Sequence, residues 1–177
     1  MEDDFLKKLA EGFSFFAKLS DDVTSAKKIL DSNDSQFSRR MYLRSLFALI
    51  EGNSFRLRQM ALAAHKHRGK CLSDDEVIVL KEKEINVTEN GKLKVRTKHL
   101  EFIANVRFSQ NCFLKAIGGK QPDYSDNGWA LLKNAVKIRN RITHPRSEED
   151  LIITDDELVL IDKAKEWYSN NVQYLLI

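Results

Sequence analysis

Three residues late in the chain have the types and spacing to transfer protons and bind phosphate. They are Arg139, Asn140 and His144, in the stretch AVKIRNRITHPRSEED that covers residues 135–150. Arginine presents a planar fork that suits two phosphate oxygens, and histidine exchanges a proton near neutrality. RNA cleavage by the 2′-hydroxyl needs a base, an acid and a cation at the crowded phosphorane. The spacing Arg-Asn-x-x-x-His therefore suits metal-free chemistry on, or binding of, a ribose phosphate.

An amphipathic pattern predicts the helix that would carry these residues, at about 126–144. Its buried stripe consists of Leu131, Ala135, Ile138 and Ile142, and a neighbouring stripe runs from Leu132 and Val136 into Arg139 and Thr143. Five residues on a continuous helix advance about 140°, too far for one narrow face. Pro145 disfavours the α conformation at His144, so the helix should end there. The imidazole can then swing towards Arg139, or two copies can converge across a two-fold axis.

A charged guanidinium at the border of a buried stripe requires a partner or a function. The helix predicted at about 35–67 carries a mixed stripe of Arg40, Arg44, Ala48, Glu51, Phe55 and Arg58. A solvated face with ordinary ion pairs is the plain interpretation of that stripe. The alternatives for Arg139 are a structural salt bridge with Glu51, or a functional guanidinium that Glu51 orients.

Composition indicates one globular domain over residues 1–177. The chain is 42% hydrophobic and 31% charged, and its 29 basic and 26 acidic residues leave a net charge of +3, which does not by itself favour a nucleic-acid partner. Cys71 and Cys112 form no CxxC pattern and are typical of reduced thiols, and no zinc site or other cofactor is expected. No segment approaches the roughly 18 apolar residues of a membrane helix, so we expect a soluble, cytoplasmic protein.

Helical periodicity, two prolines and seven glycines predict an all-α bundle of about six helices with an up-and-down core. The predicted helices cover about 3–18 and 21–31, then 35–67, 74–84, 99–117, 126–144 and 155–175. Capping boxes at Ser73–Glu76 and Thr154–Glu157 mark two of the starts, and the Ser-Asp-Asn before Trp129 marks a third.

Alternating apolar and polar residues interrupt this pattern near 85–96. They flank Asn90-Gly91, a pair suited to a two-residue hairpin turn, and predict a small exposed β-hairpin within an insertion at about 70–98. Residues 118–128 are the most flexible predicted loop.

The Arg-polar-x-x-x-His element, RNRITH, resembles the signature of HEPN domains (higher eukaryotes and prokaryotes nucleotide-binding). The layout is similar too: a long second helix with YLRSLFALIEGNSFRLRQMAL, then the motif helix, then a closing helix. The likeness covers roughly 110 residues, by element order. The insertion is outside it.

The resemblance implies a HEPN-like helical bundle that acts as a metal-independent endoribonuclease, often a toxin, abortive-infection or defence protein. It implies a homodimer with a composite site for single-stranded RNA, and an antitoxin or nucleotidyltransferase-like protein as a further partner. Arg139 and His144 would be catalytic with Asn140 assisting, and Glu51 would support Arg139. Arg141, Arg146 and Arg44 are the candidate substrate-binding cations.

The same residues are also compatible with other functions. A non-catalytic HEPN-like module could use the same Arg and His to bind a nucleotide or a protein partner. A purely structural helical scaffold could use Arg139 and Glu51 as a brace. His65, His67 and Cys71 resemble metal ligands only superficially, because a His-x-His pair on a helix points its rings about 200° apart.

Overall fold

The computed structural model describes residues 2–69 and 71–173. Within that part of the chain, six α-helices, a 3-10 turn and one antiparallel hairpin follow in order. They are α1 (Glu2–Ser32), α2 (Gln36–Arg68), α3 (Asp74–Leu80), β1 (Lys83–Val87), β2 (Leu93–Thr97), α4 (Phe102–Ile117), α5 (Asn127–Thr143), the 3-10 turn (Glu149–Leu151) and α6 (Asp155–Gln173). The predicted all-α class with a small β-hairpin is confirmed. The predicted last residues of the closing helix, 174 and 175, lie outside the described residues.

The predicted caps begin three of these helices. At α3, the Ser73 hydroxyl accepts from the Glu76 N–H and the Glu76 carboxylate accepts from the Ser73 N–H, at 3.2 and 2.7 Å. The same reciprocal pair forms between Thr154 and Glu157 at α6. These bonds satisfy backbone donors that no helical carbonyl can reach. At α5, the Asp126 carboxylate accepts from the third helical N–H at 3.0 Å.

Two helix predictions were wrong. The break expected near residues 19–20 does not occur, and α1 continues through the polar run to Ser32. Within that run the Thr24 hydroxyl donates to the Ser20 carbonyl at 2.9 Å. The helix expected over 74–84 ends at Leu80. Glu82 adopts a left-handed backbone with φ of 53°, which reverses the chain into β1.

The hairpin exists where predicted, but its turn is different. Val87 pairs with Leu93, so five residues separate the two strands. The Thr88 N–H donates to the Lys92 carbonyl and the Gly91 N–H donates to the Thr88 carbonyl, at 2.9 and 2.8 Å. Only Gly91 in the loop has a positive φ, at 71°. Because Thr88 and Lys92 are hydrogen-bonded to each other, the loop proper consists of the three residues 89–91 and ends on a left-handed glycine. It is not the expected two-residue turn, which needs two positive φ values.

The chain folds into two compact units. The first comprises residues 1–13 and 53–121, and the predicted insertion at about 70–98 lies in it. Its buried residues include Leu57, Met60, Leu80 and Phe113, and α3 contacts β1. The prediction of a single domain stays a prediction.

The second unit comprises residues 14–52 and 122–177. Its α5 packs against α6 and against the 3-10 turn. Of the predicted apolar stripe on α5, Ala135, Ile138 and Ile142 are buried and Leu131 is partly buried, while Leu132 of the neighbouring stripe is buried as well. The stripe thereby sets the rotation of α5 and determines which of its polar residues reach the surface.

None of the helices in the described ranges is both long enough and apolar enough to cross a membrane.

Candidate active site

The last turn of α5 presents the candidate residues. His144 follows the helix with φ −126° and ψ 60°, outside the α region, as Pro145 predicted. Its N–H still donates to the Asn140 carbonyl at 3.0 Å. The side chains of Asn140 and His144 are exposed, whereas that of Arg139 is partly buried. The helix end therefore places an imidazole and an amide in solvent on a rigid support.

Arg139 makes the contact with Glu51 that the sequence suggested. One terminal nitrogen, Nη2, donates to the Glu51 carboxylate on α2, and Nη1 donates to Asn140 Oδ1 at 3.1 Å. The guanidinium carbon lies 6.0 Å from the ring centroid of Phe47. These contacts hold the guanidinium in one orientation and link it directly to Asn140.

An open depression of about 510 Å³ lies beside this helix end. Its lining residues are Asn140, Arg141, His144, Arg146 and Asp150. Within residues 2–69 and 71–173, the imidazole of His144 makes no hydrogen bond, so its nitrogens face solvent for a ligand. Asn140 lines the depression and also accepts from Arg139, so it connects the ion pair to the cleft.

The two flanking cations differ in their surroundings. The Arg146 side chain is exposed, and its backbone N–H donates to the Asp150 carboxylate at 2.7 Å. Arg141 instead donates to the Ile152 carbonyl at 2.8 Å and to both Glu157 oxygens at 2.7 and 2.8 Å. Arg141 thus has a bracing role in the free chain, and its predicted role in substrate binding stays a prediction.

The third predicted cation, Arg44, lies exposed on α2 and is not among the residues that line the depression. The structure therefore brings together His144, Asn140, Arg141 and Arg146 around one cleft. It places Arg139 and Glu51 behind Asn140.

Three residues of α2 that were not among the predicted site residues hold the segment that follows the cleft. The Arg39 guanidinium donates to the Ile153 carbonyl at 2.8 Å and Arg40 donates to the Leu151 carbonyl at 3.0 Å. Gln36 both donates to the Ile153 carbonyl and accepts from its N–H. No sequence pattern could reveal these contacts, because each of them is made to a backbone carbonyl or N–H group of the kind that nearly every residue carries.

The histidines of the first unit have other surroundings. The Leu72 N–H donates to Nδ1 of His65 at 3.0 Å, and the Cys71 thiol lies 4.0 Å from the same nitrogen. His67 stacks on Phe5 with ring centroids 5.3 Å apart. Across the described positions, no group of three or more His, Cys, Asp or Glu side chains is arranged to hold a metal ion.

Comparisons with protein-family models, with curated proteins and with solved structures find no significant match to this chain.

Proposed function

We propose that this protein is a metal-independent endoribonuclease of HEPN type that cleaves single-stranded RNA. The observation that supports this most directly is the solvent-facing imidazole of His144 in an open cleft, beside an asparagine that Arg139 contacts. The cleft combines a group able to move a proton with an exposed cation, Arg146. Both are needed for attack of a 2′-hydroxyl on the adjacent phosphate.

The proposed roles follow from the contacts. His144 takes or gives the proton, and Asn140 positions the imidazole or a phosphate oxygen. Arg139 is oriented by Glu51 and Asn140, and its proposed role is to stabilise the negative charge on the phosphorane in the composite site that a second copy completes. Arg146 attracts the phosphate on the open side of the cleft.

A second copy of the chain is part of the proposal. Attack by the 2′-hydroxyl needs one base and one acid. The second unit, residues 14–52 and 122–177, contains a single histidine, His144. Two copies related by a two-fold axis supply two imidazoles and two arginines to one phosphodiester. We therefore propose a homodimer with a composite site.

The cellular role is proposed from the family resemblance. A HEPN-type ribonuclease of this kind acts in the cytoplasm as a toxin, abortive-infection or defence protein. An antitoxin or nucleotidyltransferase-like partner then restrains it.

A binding module is the second candidate function. Glu51 neutralises Arg139, and Asp150 adds a carboxylate to the cleft wall, so the cleft carries less positive charge than its arginines suggest. Such a cleft suits the binding of a single nucleotide phosphate without chemistry.

The test is cleavage of a labelled single-stranded RNA in excess EDTA by the wild type and by His144→Ala. We expect the wild type to leave 2′,3′-cyclic phosphate ends. The variant should cleave at least about 100-fold more slowly, since proton transfer contributes on that order to the rate. The matched control is His67→Ala, an exposed histidine of the first unit that should cleave as the wild type does. Circular dichroism verifies that each variant is folded.

Equal cleavage by the wild type and a folded His144→Ala would exclude this site as the nuclease centre. A wild type that binds nucleotide without cleaving RNA, and loses that binding in His144→Ala, would support the binding module instead.

A further inference from the structure

The β-hairpin exposes an apolar face. Ile85 pairs with Val95 and Val87 pairs with Leu93, and alternate residues of a strand share a face, so all four side chains lie together. They are 46, 55, 70 and 72% exposed, respectively. A two-stranded hairpin alone is at best marginally stable in water, and although α3 contacts β1, these four exposed aliphatic side chains add little packing on this face. The face therefore has the properties of a surface that a further element covers.

One edge of the hairpin has backbone groups ready for another strand. The Thr88 N–H donates to Lys92, and the Lys98 N–H donates to Glu82, both at 2.9 Å. Hydrogen-bonded pairs alternate along an antiparallel ladder, so the backbone groups of Leu93, Val95 and Thr97 point away from β1. Among residues 2–69 and 71–173, no strand pairs with that edge.

The charges on β2 define what could occupy the edge. Lys94 and Arg96 alternate with the apolar residues, lie on the opposite face and are exposed. On β1 the matching positions are Glu84, which pairs with Lys98 at 2.6 Å, and Asn86. A strand added to β2 would place its side chains beside two exposed cations on one face, Lys94 opposite Asn86 and Arg96 opposite Glu84, and beside two aliphatic residues on the other.

We propose that the free edge of β2 docks an extended segment of another protein in which apolar and acidic residues alternate. The incoming backbone completes the hydrogen bonds of Leu93, Val95 and Thr97. Its apolar side chains extend the aliphatic face, and its carboxylates lie opposite Lys94 and Arg96, the cross-strand pairing that stabilises antiparallel sheets. This interaction surface is independent of the proposed ribonuclease site.

Charge disfavours the pairing of β2 with the β2 strand of a second copy. Any β2-to-β2 pairing that keeps the aliphatic face continuous places Lys94 and Arg96 against the same residues of the other copy, and like charges opposite each other destabilise a sheet. Pairing β2 of one copy with β1 of the next is head-to-tail, and it would build a ring or an open filament instead of the two-fold homodimer proposed above.

The test uses a fluorescein-labelled nine-residue peptide of alternating valine and glutamate and follows anisotropy on titration with the full chain. Comparison probes are a peptide of the same composition with its valines and glutamates in separate blocks, an alternating valine and lysine peptide, and a single-stranded oligouridine of equal charge. We expect the alternating acidic peptide to bind at least about tenfold more tightly than each of the others.

Two variants locate the binding. The double substitution Lys94→Glu with Arg96→Glu should lower the affinity for the acidic peptide at least about tenfold and raise the affinity for the lysine peptide. Val95→Pro removes one outward N–H without removing a bond to β1, and should also abolish binding. A matched charge control, Lys18→Glu with Lys28→Glu on the exposed side of α1, should bind as the wild type does.

Three results would overturn the proposal. Equal binding of the block peptide or of oligouridine would show a general polyanion surface. Undiminished binding after both β2 variants would place the contact elsewhere. Absence of peptide binding to the folded wild type would leave Lys94 and Arg96 as charges that merely keep an edge strand unpaired.

Discussion

The strength of the ion pair between Glu51 and Arg139 distinguishes two roles for Arg139: a functional guanidinium or a structural brace. The Arg139 side chain keeps 26% of its accessible surface and Glu51 keeps 47%. Water therefore screens the pair, and pairs with such exposure contribute about 0.2–1 kcal/mol in double-mutant cycles. We expect a coupling free energy of at most about 1 kcal/mol, well below the roughly 3–5 kcal/mol lost when one partner of a buried pair is removed.

The assay is urea unfolding of the wild type, Glu51→Ala, Arg139→Ala and the double variant. Arg139→Ala also loses its contacts with Asn140 and Phe47, but it loses them in both backgrounds, so the cycle removes these terms. A coupling free energy above about 3 kcal/mol would make the pair a brace and would remove the argument that Arg139 is held for function.

The pair between Arg58 and Glu82 provides an internal reference for the same measurement. Its Nη1 and Oε1 atoms lie 2.6 Å apart, and the Arg58 side chain is only 6% exposed. Glu82→Ala would leave that guanidinium buried without its counter-ion, at a cost of about 3–5 kcal/mol. If Glu82→Ala lowers the free energy of unfolding by no more than Glu51→Ala does, burial does not determine the relative strength of these two ion pairs.

Three further predictions follow from individual contacts. The hydrogen bond from His99 lowers the pKa of Glu82 from 4.5. The ionised carboxylate therefore stabilises the fold at pH 7, and this stabilisation is lost as the pH falls through the pKa of the folded state. The difference in unfolding free energy between the wild type and Glu82→Gln should accordingly shrink in acid. Burial raises the pKa of Cys112 to about 12, so Ellman's reagent at pH 8 should titrate only the other cysteine of the native protein, and both after unfolding. In Gly128→Ala the new Cβ would lie 1.8 Å from Trp167 Cδ1, and we expect the tryptophan-fluorescence melting temperature to fall by more than about 4 °C.

Local signals predicted much of the helical structure correctly. The apolar stripe of α5, the capping residues at Ser73 and Thr154 and the stop at Pro145 each act within one or two turns of chain. The wrong predictions were also local. A polar run does not break a helix whose apolar stripes continue on both sides of it, and Asn90-Gly91 is compatible with more than one hairpin loop.

The amino-acid sequence by itself determined which residues face solvent at the end of α5, because burial of the opposite stripe sets the rotation of the helix. It also proposed Glu51 as the partner of Arg139. Only the tertiary structure decided that these two, 88 positions apart, meet, while Arg141 turns to the Ile152 carbonyl and Glu157. The physical reason is reach: a long cationic side chain binds whichever oxygens the fold brings within about 3 Å, and a backbone carbonyl carries no sequence signal.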